Sequence, residues 1–124
     1  PLLTDIGALQ QVTFTGDLSL FELPISDLSG ITGITTIAGS LILDGNNLET
    51  VAGSESLTTI GADLVIYRNP ALKTLTALQG LTTIAGDLSV TQNICLPALE
   101  AQALRDAVQT IGGAVTLSAN IGPC

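Results

Sequence analysis

Several residue types that carry chemistry are missing from this chain. Its 124 residues include no His, no Trp and no Met, and only 2% of them are aromatic. Without His there is no ordinary pair of nucleophile and imidazole base, and two cysteines alone make a poor zinc site. A Gly-rich phosphate loop with its Lys is missing as well. The sequence therefore predicts a protein that is not an enzyme, has no catalytic residues and needs no metal or cofactor.

Positive charge is also scarce. Three bases stand against eleven acids, so the formal net charge is −8 at pH 7. Binding to a phosphate backbone needs a basic face, which excludes nucleic acid as a partner and disfavours an anionic membrane surface. No apolar run approaches the ~18 residues of a membrane-spanning helix. We therefore expect no direct membrane insertion.

Small aliphatic residues are abundant, and they recur at a nearly constant interval. A small-residue step followed by an apolar–x–apolar pair occurs five times, with the pair starting at Leu18, Leu41, Leu64, Leu88 and Val115. The spacings are 23, 23, 24 and 27 residues. Intervals of this size are typical of solenoids, in which each repeat forms one rung of a coil. The alternation within each pair predicts a short strand with its apolar side inward.

We predict one all-β domain over residues 1–124, a β-solenoid of about five rungs. Residues 1–17 are expected to form a partial first rung, whose open sheet edge would need a cover. Residues 96–111 break the pattern with helical spacing, and Pro97 and Gly112-Gly113 suit the two ends of a helix. This last turn is predicted to contain one short helix that caps the C-terminal end.

An Asn recurs three residues after the second inward strand residue. The positions are Asn46, Asn69, Asn93 and Asn120. Four amides in a row suit either a sugar site or a structural ladder, and a residue that recurs in every rung favours the ladder, in which each side chain bonds the backbone of a neighbouring turn.

The two cysteines fall at the same corner of adjacent rungs. Rungs stack ~5 Å apart, so Cys95 and Cys124 are within disulfide reach. A disulfide predicts an extracellular or periplasmic setting, and the alternative is a pair of free buried cysteines in a cytosolic protein.

Two further columns of polar residues have alternative interpretations. Asp63 and Asp87 lie in register and suit solvated turns, a weak cation site, or less readily a carboxylate pair for glycoside hydrolysis. The Thr pairs at 35–36, 58–59 and 82–83 resemble the regular Thr arrays of ice-binding proteins, although Thr also simply suits strands. Gln10-Gln11 is expected to interrupt that array in the first rung.

The outward-facing strand positions hold the candidate contact surface. Alternation assigns Ser19, Ile42, Val65, Ser89 and Thr116 to one outward row and Phe21, Asp44, Tyr67, Thr91 and Ser118 to the next. An aromatic and apolar group beside an Arg fits a protein-contact patch, and the alternative is ordinary cross-strand packing. We name as candidate contact residues Phe21, Ile42, Val65, Tyr67 and Arg68.

The segment "LTTIGADLVIYRNPALKTL" (57–75), with its near copies, resembles the receptor L-domain repeat. The C-terminal segment, with "ALEAQALRDAV" (98–108) before a last strand, is most similar to the bacterial surface versions of that repeat. The resemblance extends from about Leu3 to Cys124. It implies a leucine-rich-repeat-like right-handed β-helix in an extracellular, cell-surface protein that binds proteins through a sheet face. No ligand-contact motif is shared across the family, so no binding residue is carried over.

The expected function is a binding or assembly module. Its partner would be another protein or a copy of itself, reached through the outward strand face or the open N-terminal rung, the latter giving an end-to-end homo-oligomer. An ice-binding protein with stacked Thr on a flat face and a structural spacer are the alternatives.

Overall fold

The computed structural model describes residues 13–124. Strands predominate, and they lie in two parallel sheets accompanied by one α-helix. The short strands are β1 (Thr13–Phe14), β3 (Thr36–Ile37), β5 (Thr59–Ile60), β7 (Thr83–Ile84) and β9 (Thr110–Ile111). The longer strands are β2 (Leu18–Phe21), β4 (Leu41–Asp44), β6 (Leu64–Tyr67), β8 (Leu88–Thr91) and β10 (Val115–Ser118). Most of the predicted partial first rung, residues 1–12, lies outside the described residues.

The chain alternates between the two sheets as it advances. One sheet, here the short sheet, has the order β1-β3-β5-β7-β9, and the other, the long sheet, has the order β10-β8-β6-β4-β2. Every strand thus pairs with its equivalent one repeat away. Leu41, for example, lies opposite Leu18 on one side and Leu64 on the other. The 23- to 27-residue spacing of the sequence is therefore the pairing register of both sheets.

A single aliphatic core lies between the sheets. In the repeat that spans residues 72–90 the regularly spaced aliphatic residues are all buried: Leu72, Leu75, Leu78, Leu81, Ile84, Leu88 and Val90. The buried inward residues of the repeats belong to one cluster, so each of these side chains packs against its equivalents in adjacent repeats. Burial of aliphatic side chains contributes roughly 25 cal/mol per Å², and Leu and Ile supply nearly all of it here.

The third side of each repeat carries turns or helices. Short 3₁₀ helices occupy Ser29–Ile31 and Thr76–Gly80, and α1 (Ala98–Ala107) takes the equivalent place in the last repeat. Helix α1 packs against the second 3₁₀ helix and against β10. Glu100 fixes it there, because its Oε1 accepts hydrogen bonds from the Leu75 N–H and the Thr74 hydroxyl, each at 2.8 Å.

The ends of α1 differ from the expected ones. Pro97 precedes the helix as its N-cap, and the helix ends at Ala107, where Val108 adopts an extended conformation. Gly112-Gly113 does not terminate the helix. It forms the corner between β9 and β10, where a Cβ on Gly112 would overlap the carbonyl oxygen of Ala85 in the preceding repeat.

Each strand of the long sheet is followed by a residue in the left-handed region. These residues are Glu22, Gly45, Arg68, Gln92 and Ala119, with φ between 52° and 72°. Four of the five carry a side chain, although this conformation favours glycine. The left-handed step turns the chain sharply, so that the next residue, an Asn in four of the repeats, points into the protein.

Candidate functional site

The candidate contact residues lie together on the outward face of the long sheet. Pairing places Ile42 opposite Val65, and Asp44 between Phe21 and Tyr67. The Phe21 side chain is 51% exposed, whereas Ile42, Val65 and Tyr67 are half-buried. The alternation of the sequence thus predicts this face residue by residue.

Arg68 joins the group through its left-handed backbone. Its Nε and Nη2 donate hydrogen bonds to Asp44 Oδ1 at 3.1 and 2.9 Å, and its guanidinium carbon lies 5.0 Å from the centre of the Tyr67 ring. The hydrogen bond to Asp44, together with its negative charge, raises the pKa of Arg68 above its ordinary value. The guanidinium therefore stays charged and is held over the ring, with 46% of the Arg68 side chain exposed.

Asp44 is a member of this site that the candidate list omits. It shares an outward row with Phe21 and Tyr67, but the sequence gives no sign that a residue after the strand would fold back onto it. That contact depends on the positive φ of Arg68, a conformation that is uncommon for a non-glycine residue.

The Asn column forms a continuous hydrogen-bonded ladder. Each Asn bonds the repeat that precedes it: Asn46 Oδ1 accepts from Leu23 N–H at 2.9 Å, and Asn69 Oδ1 accepts from Asn46 N–H at 3.1 Å. The Nδ2 groups donate to strand carbonyls of the preceding repeat, at Leu20, Leu43, Ile66 and Val90. In residues 13–124 every buried side-chain nitrogen or oxygen atom has a partner. The ladder amides are therefore engaged with the protein and are not available for a sugar.

A second ladder runs in the opposite direction at the corner before each long strand. Asp17 Oδ1 accepts from Ser40 N–H, and the next three bonds are Asp63 N–H to Ser40 Oγ, Asp87 N–H to Asp63 Oδ1 and Ala114 N–H to Asp87 Oδ1, all at 2.8–3.0 Å. Each side chain bonds the repeat that follows it. The Asp63 and Asp87 carboxylates are thus backbone acceptors, and no cluster of three or more metal-binding side chains occurs in the described part of the chain.

The side chains of the Asp ladder limit the size of the residue at the corner of the next repeat. A Cβ built on Gly86 would overlap Asp63 Oδ1, and Gly39 and Gly113 stand in the same relation to Asp17 and Asp87. Where the ladder residue is the shorter Ser40, the equivalent position holds Ala62. The choice of Gly or Ala at the second position of these corners therefore follows from the length of the neighbouring side chain. At the first position, Gly61 and Gly112 instead face the backbone carbonyls of Ala38 and Ala85.

Cys95 and Cys124 form a disulfide with a Cα–Cα distance of 4.9 Å. It joins the segment after β8 to the segment after β10, which also associate through the backbone: the Gly122 N–H donates to the Leu96 carbonyl at 3.0 Å. The bond is compatible with an extracellular protein. No helix in residues 13–124 is long and apolar enough to cross a membrane.

The Thr column is longer than the sequence pattern indicates. Thr36, Thr59 and Thr83 pair with one another in the short sheet, and the column continues to Thr13 at one end and Thr110 at the other. Gln10-Gln11 lies outside the described residues, and it is Thr13 that pairs with Thr36 in this register. The first Thr of the pairs 58–59 and 82–83 has a structural use, since Thr58 and Thr82 donate their hydroxyl hydrogens to the Thr35 and Thr58 carbonyls.

No protein-family model matches the chain, and neither a curated protein nor a solved structure shows significant similarity to it.

Proposed function

We propose that this chain is a right-handed β-solenoid of about five rungs, of the receptor L-domain type, and that it serves as a non-enzymatic binding module of a cell-surface protein. The pairing of every strand with its equivalent one repeat away supports the solenoid. The disulfide supports a location outside the cell, where such bonds persist.

The contact surface we propose is the outward patch of Phe21, Ile42, Val65, Tyr67 and Arg68, and its partner is a protein. One observation carries this choice: Asp44 holds the Arg68 guanidinium over the Tyr67 ring. Aromatic and Arg side chains are the commonest energetic anchors of protein interfaces. A pair that is already ordered loses less conformational entropy when a partner binds, so the arrangement favours recognition.

A photo-crosslinking experiment tests this surface. Tyr67 is replaced by p-benzoylphenylalanine in one version of the chain and Thr91, its neighbour in the same outward row, in a second version. Both are irradiated on intact cells of the source organism. We expect an adduct with one surface protein from position 67 and little from position 91. Equal adducts from both positions, or none, would contradict the proposal.

The partner found in this way then allows a quantitative test. Tyr67→Ala is expected to weaken its binding by at least about tenfold, because truncation of an interface anchor costs about 2 kcal/mol or more and a tenfold change corresponds to about 1.4 kcal/mol. Thr91→Ala is the matched control and should change the affinity by less than about threefold. An equal loss in both variants would show that the patch does not form the interface.

Ice is a second candidate ligand, favoured by the five-membered Thr column. The strands that carry it stack about 4.8 Å apart, so the column repeats a methyl and a hydroxyl group at a regular spacing along the short sheet. Purified protein should then show thermal hysteresis and shape ice crystals, and Thr59→Tyr, at the centre of the column, should abolish both. Thr91→Tyr, on the long sheet, is the control. Freezing behaviour identical to that of an inert protein would exclude this candidate.

A further inference from the structure

The edge of the long sheet at β10 is open and uncharged. β10 pairs with β8 on one side, and no described strand pairs with its other side. Natural sheet edges are usually protected by charged residues, proline or bulges. β10 has none of these, and no side chain from residue 107 to residue 124 carries a charge, although the whole chain has a net charge of −8. The edge lacks the ordinary protection against pairing.

Apolar exposure is concentrated at the same end. Among the described residues, five large hydrophobic side chains are exposed, and four of them lie between residues 94 and 121. Val115 is 40% exposed and Ile121 69% exposed. The residues equivalent to Val115 in the other repeats, from Leu18 to Leu88, are buried, because a following repeat covers them. Val115 occupies the equivalent inward position on β10, but no following repeat covers it within the described part of the chain.

The backbone of β10 has its free groups at alternate residues. Leu88 N–H donates to the Ala114 carbonyl and Gln92 N–H donates to the Ser118 carbonyl, so the even-numbered residues of β10 face β8. In a parallel ladder alternate residues bond to opposite sides. The N–H and C=O groups of Val115 and Leu117 therefore point to the open edge.

We infer that this edge is a dimer interface, in which β10 pairs antiparallel with β10 of a second copy across a two-fold axis. With Thr116 of the two copies at the axis, Val115 lies opposite the second copy's Leu117, and each free N–H meets a free C=O. The inward faces of both strands then lie on the same side, so Val115 and Leu117 of the two copies cover one another. A self-complementary strand of this kind gives a closed, isologous contact.

The charge distribution favours a second copy of this chain as the partner of the β10 edge. Two chains of net charge −8 repel each other over most of their surface, and the uncharged end is where they approach at least electrostatic cost. Head-to-tail stacking of copies is disfavoured by the two ladders. The Asp ladder ends at Ala114, whose side chain has no acceptor for a backbone N–H of a copy stacked after it. The Asn ladder ends at Leu23, whose side chain has no amide that could bond a copy stacked before it.

The test is light scattering after size exclusion over a wide range of protein concentration. Wild type is expected to dimerise. Val115→Lys should weaken the dimer by at least about 100-fold, because like charges then lie close together across the edge. Val115→Pro should do the same without charge, since it removes an edge N–H at a strand position where proline is tolerated. The controls Ser19→Lys, on β2 at the opposite edge, and Tyr67→Glu should leave the dimer intact.

Each other outcome overturns the inference. A wild-type monomer at every concentration would mean that a second copy does not pair with the edge. A dimer that survives both Val115 variants, or that Ser19→Lys also disrupts, would place the contact elsewhere. Hydrogen exchange of the wild type adds a readout that needs no variant: the Val115 and Leu117 amides should be protected in the dimer and exchange on dilution. Equal exchange in both states would refute the strand pairing. A dimer retained in Tyr67→Glu would show that dimerisation does not use the proposed protein-contact patch, so the two proposals can fail independently.

Discussion

Removal of one ladder amide should destabilise the protein far more than removal of a neighbouring exposed amide. Asn69 is fully buried in the middle of the ladder. Its Oδ1 accepts from Asn46 N–H at 3.1 Å, and its Nδ2 donates to the Leu43 carbonyl at 3.0 Å and to Asn93 Oδ1 at 3.2 Å. Asn69→Ala deletes these three bonds and a fourth, from Nδ2 to the Tyr67 carbonyl at 3.2 Å, and leaves the Asn46 N–H buried without a partner.

The expected loss follows from that N–H and from the lost carbonyl bond. A buried donor without an acceptor costs about 1–3 kcal/mol, and a further hydrogen bond contributes about 1 kcal/mol. We therefore expect Asn69→Ala to lower the free energy of unfolding by about 3 kcal/mol. Domains of this size are stable by about 5–15 kcal/mol, so the variant should fold but unfold at clearly lower denaturant concentration.

Equilibrium unfolding in urea, followed by circular dichroism with the disulfide intact, measures the difference. The matched control is Asn47→Ala, one residue from the ladder and exposed, which should change the free energy of unfolding by no more than about 0.5 kcal/mol. If Asn69→Ala costs less than about 1 kcal/mol, or no more than Asn47→Ala, the ladder does not stabilise the fold through its hydrogen bonds.

Two more predictions concern the Asp ladder and the disulfide. Gly86→Ala should lower the free energy of unfolding by about 1–3 kcal/mol, because the new Cβ would overlap the Asp63 carboxylate. Asp63→Ser should recover part of that loss, as Ser40 does beside Ala62, and a double-mutant cycle showing a coupling below about 0.3 kcal/mol would contradict the steric explanation. Cys95 and Cys124 close a loop with a sequence separation of 29 residues. Replacement of both by Ser should lower the free energy of unfolding by about 3–4 kcal/mol, because the unfolded chain gains the entropy of the opened loop. Thermal unfolding of the oxidised wild type against the double variant checks this, and unchanged melting would contradict it.

The periodic part of this protein is readable from its sequence. Alternation and spacing give the repeat interval, the positions of the long strands, their inward residues and the two outward rows, because parallel pairing of equivalent residues turns a sequence interval directly into register. The short sheet is not predicted in this way. Asn69 and its equivalents were assigned to a ladder for the same reason. The spacing does not predict that these side chains bond the preceding repeat, because that direction is set by the conformation of the turn.

The parts that sequence reasoning missed depend on contacts between unlike residues. Helical spacing in this segment groups Leu99 and Ala103 with Leu104, but of these three only Leu104 is buried, and it is joined in the core by Ala101. Glu100 decides this orientation through its bonds to Leu75 and Thr74, which helical spacing alone does not reveal. The Thr column was underestimated because Thr110 follows Gln109 and so lacks the Thr-Thr pair that served as the template.

The left-handed residues after the long strands leave one position per repeat open to chemical variation. A side chain in this conformation costs about 1–2 kcal/mol, yet the series holds an acid, a base, an amide, a methyl group and a glycine. Neither sheet nor either ladder uses these side chains for its own bonds. Substitutions in this row can change the charge and polarity of the outward face without altering the repeats that support it. Arg68 beside Tyr67 is an example.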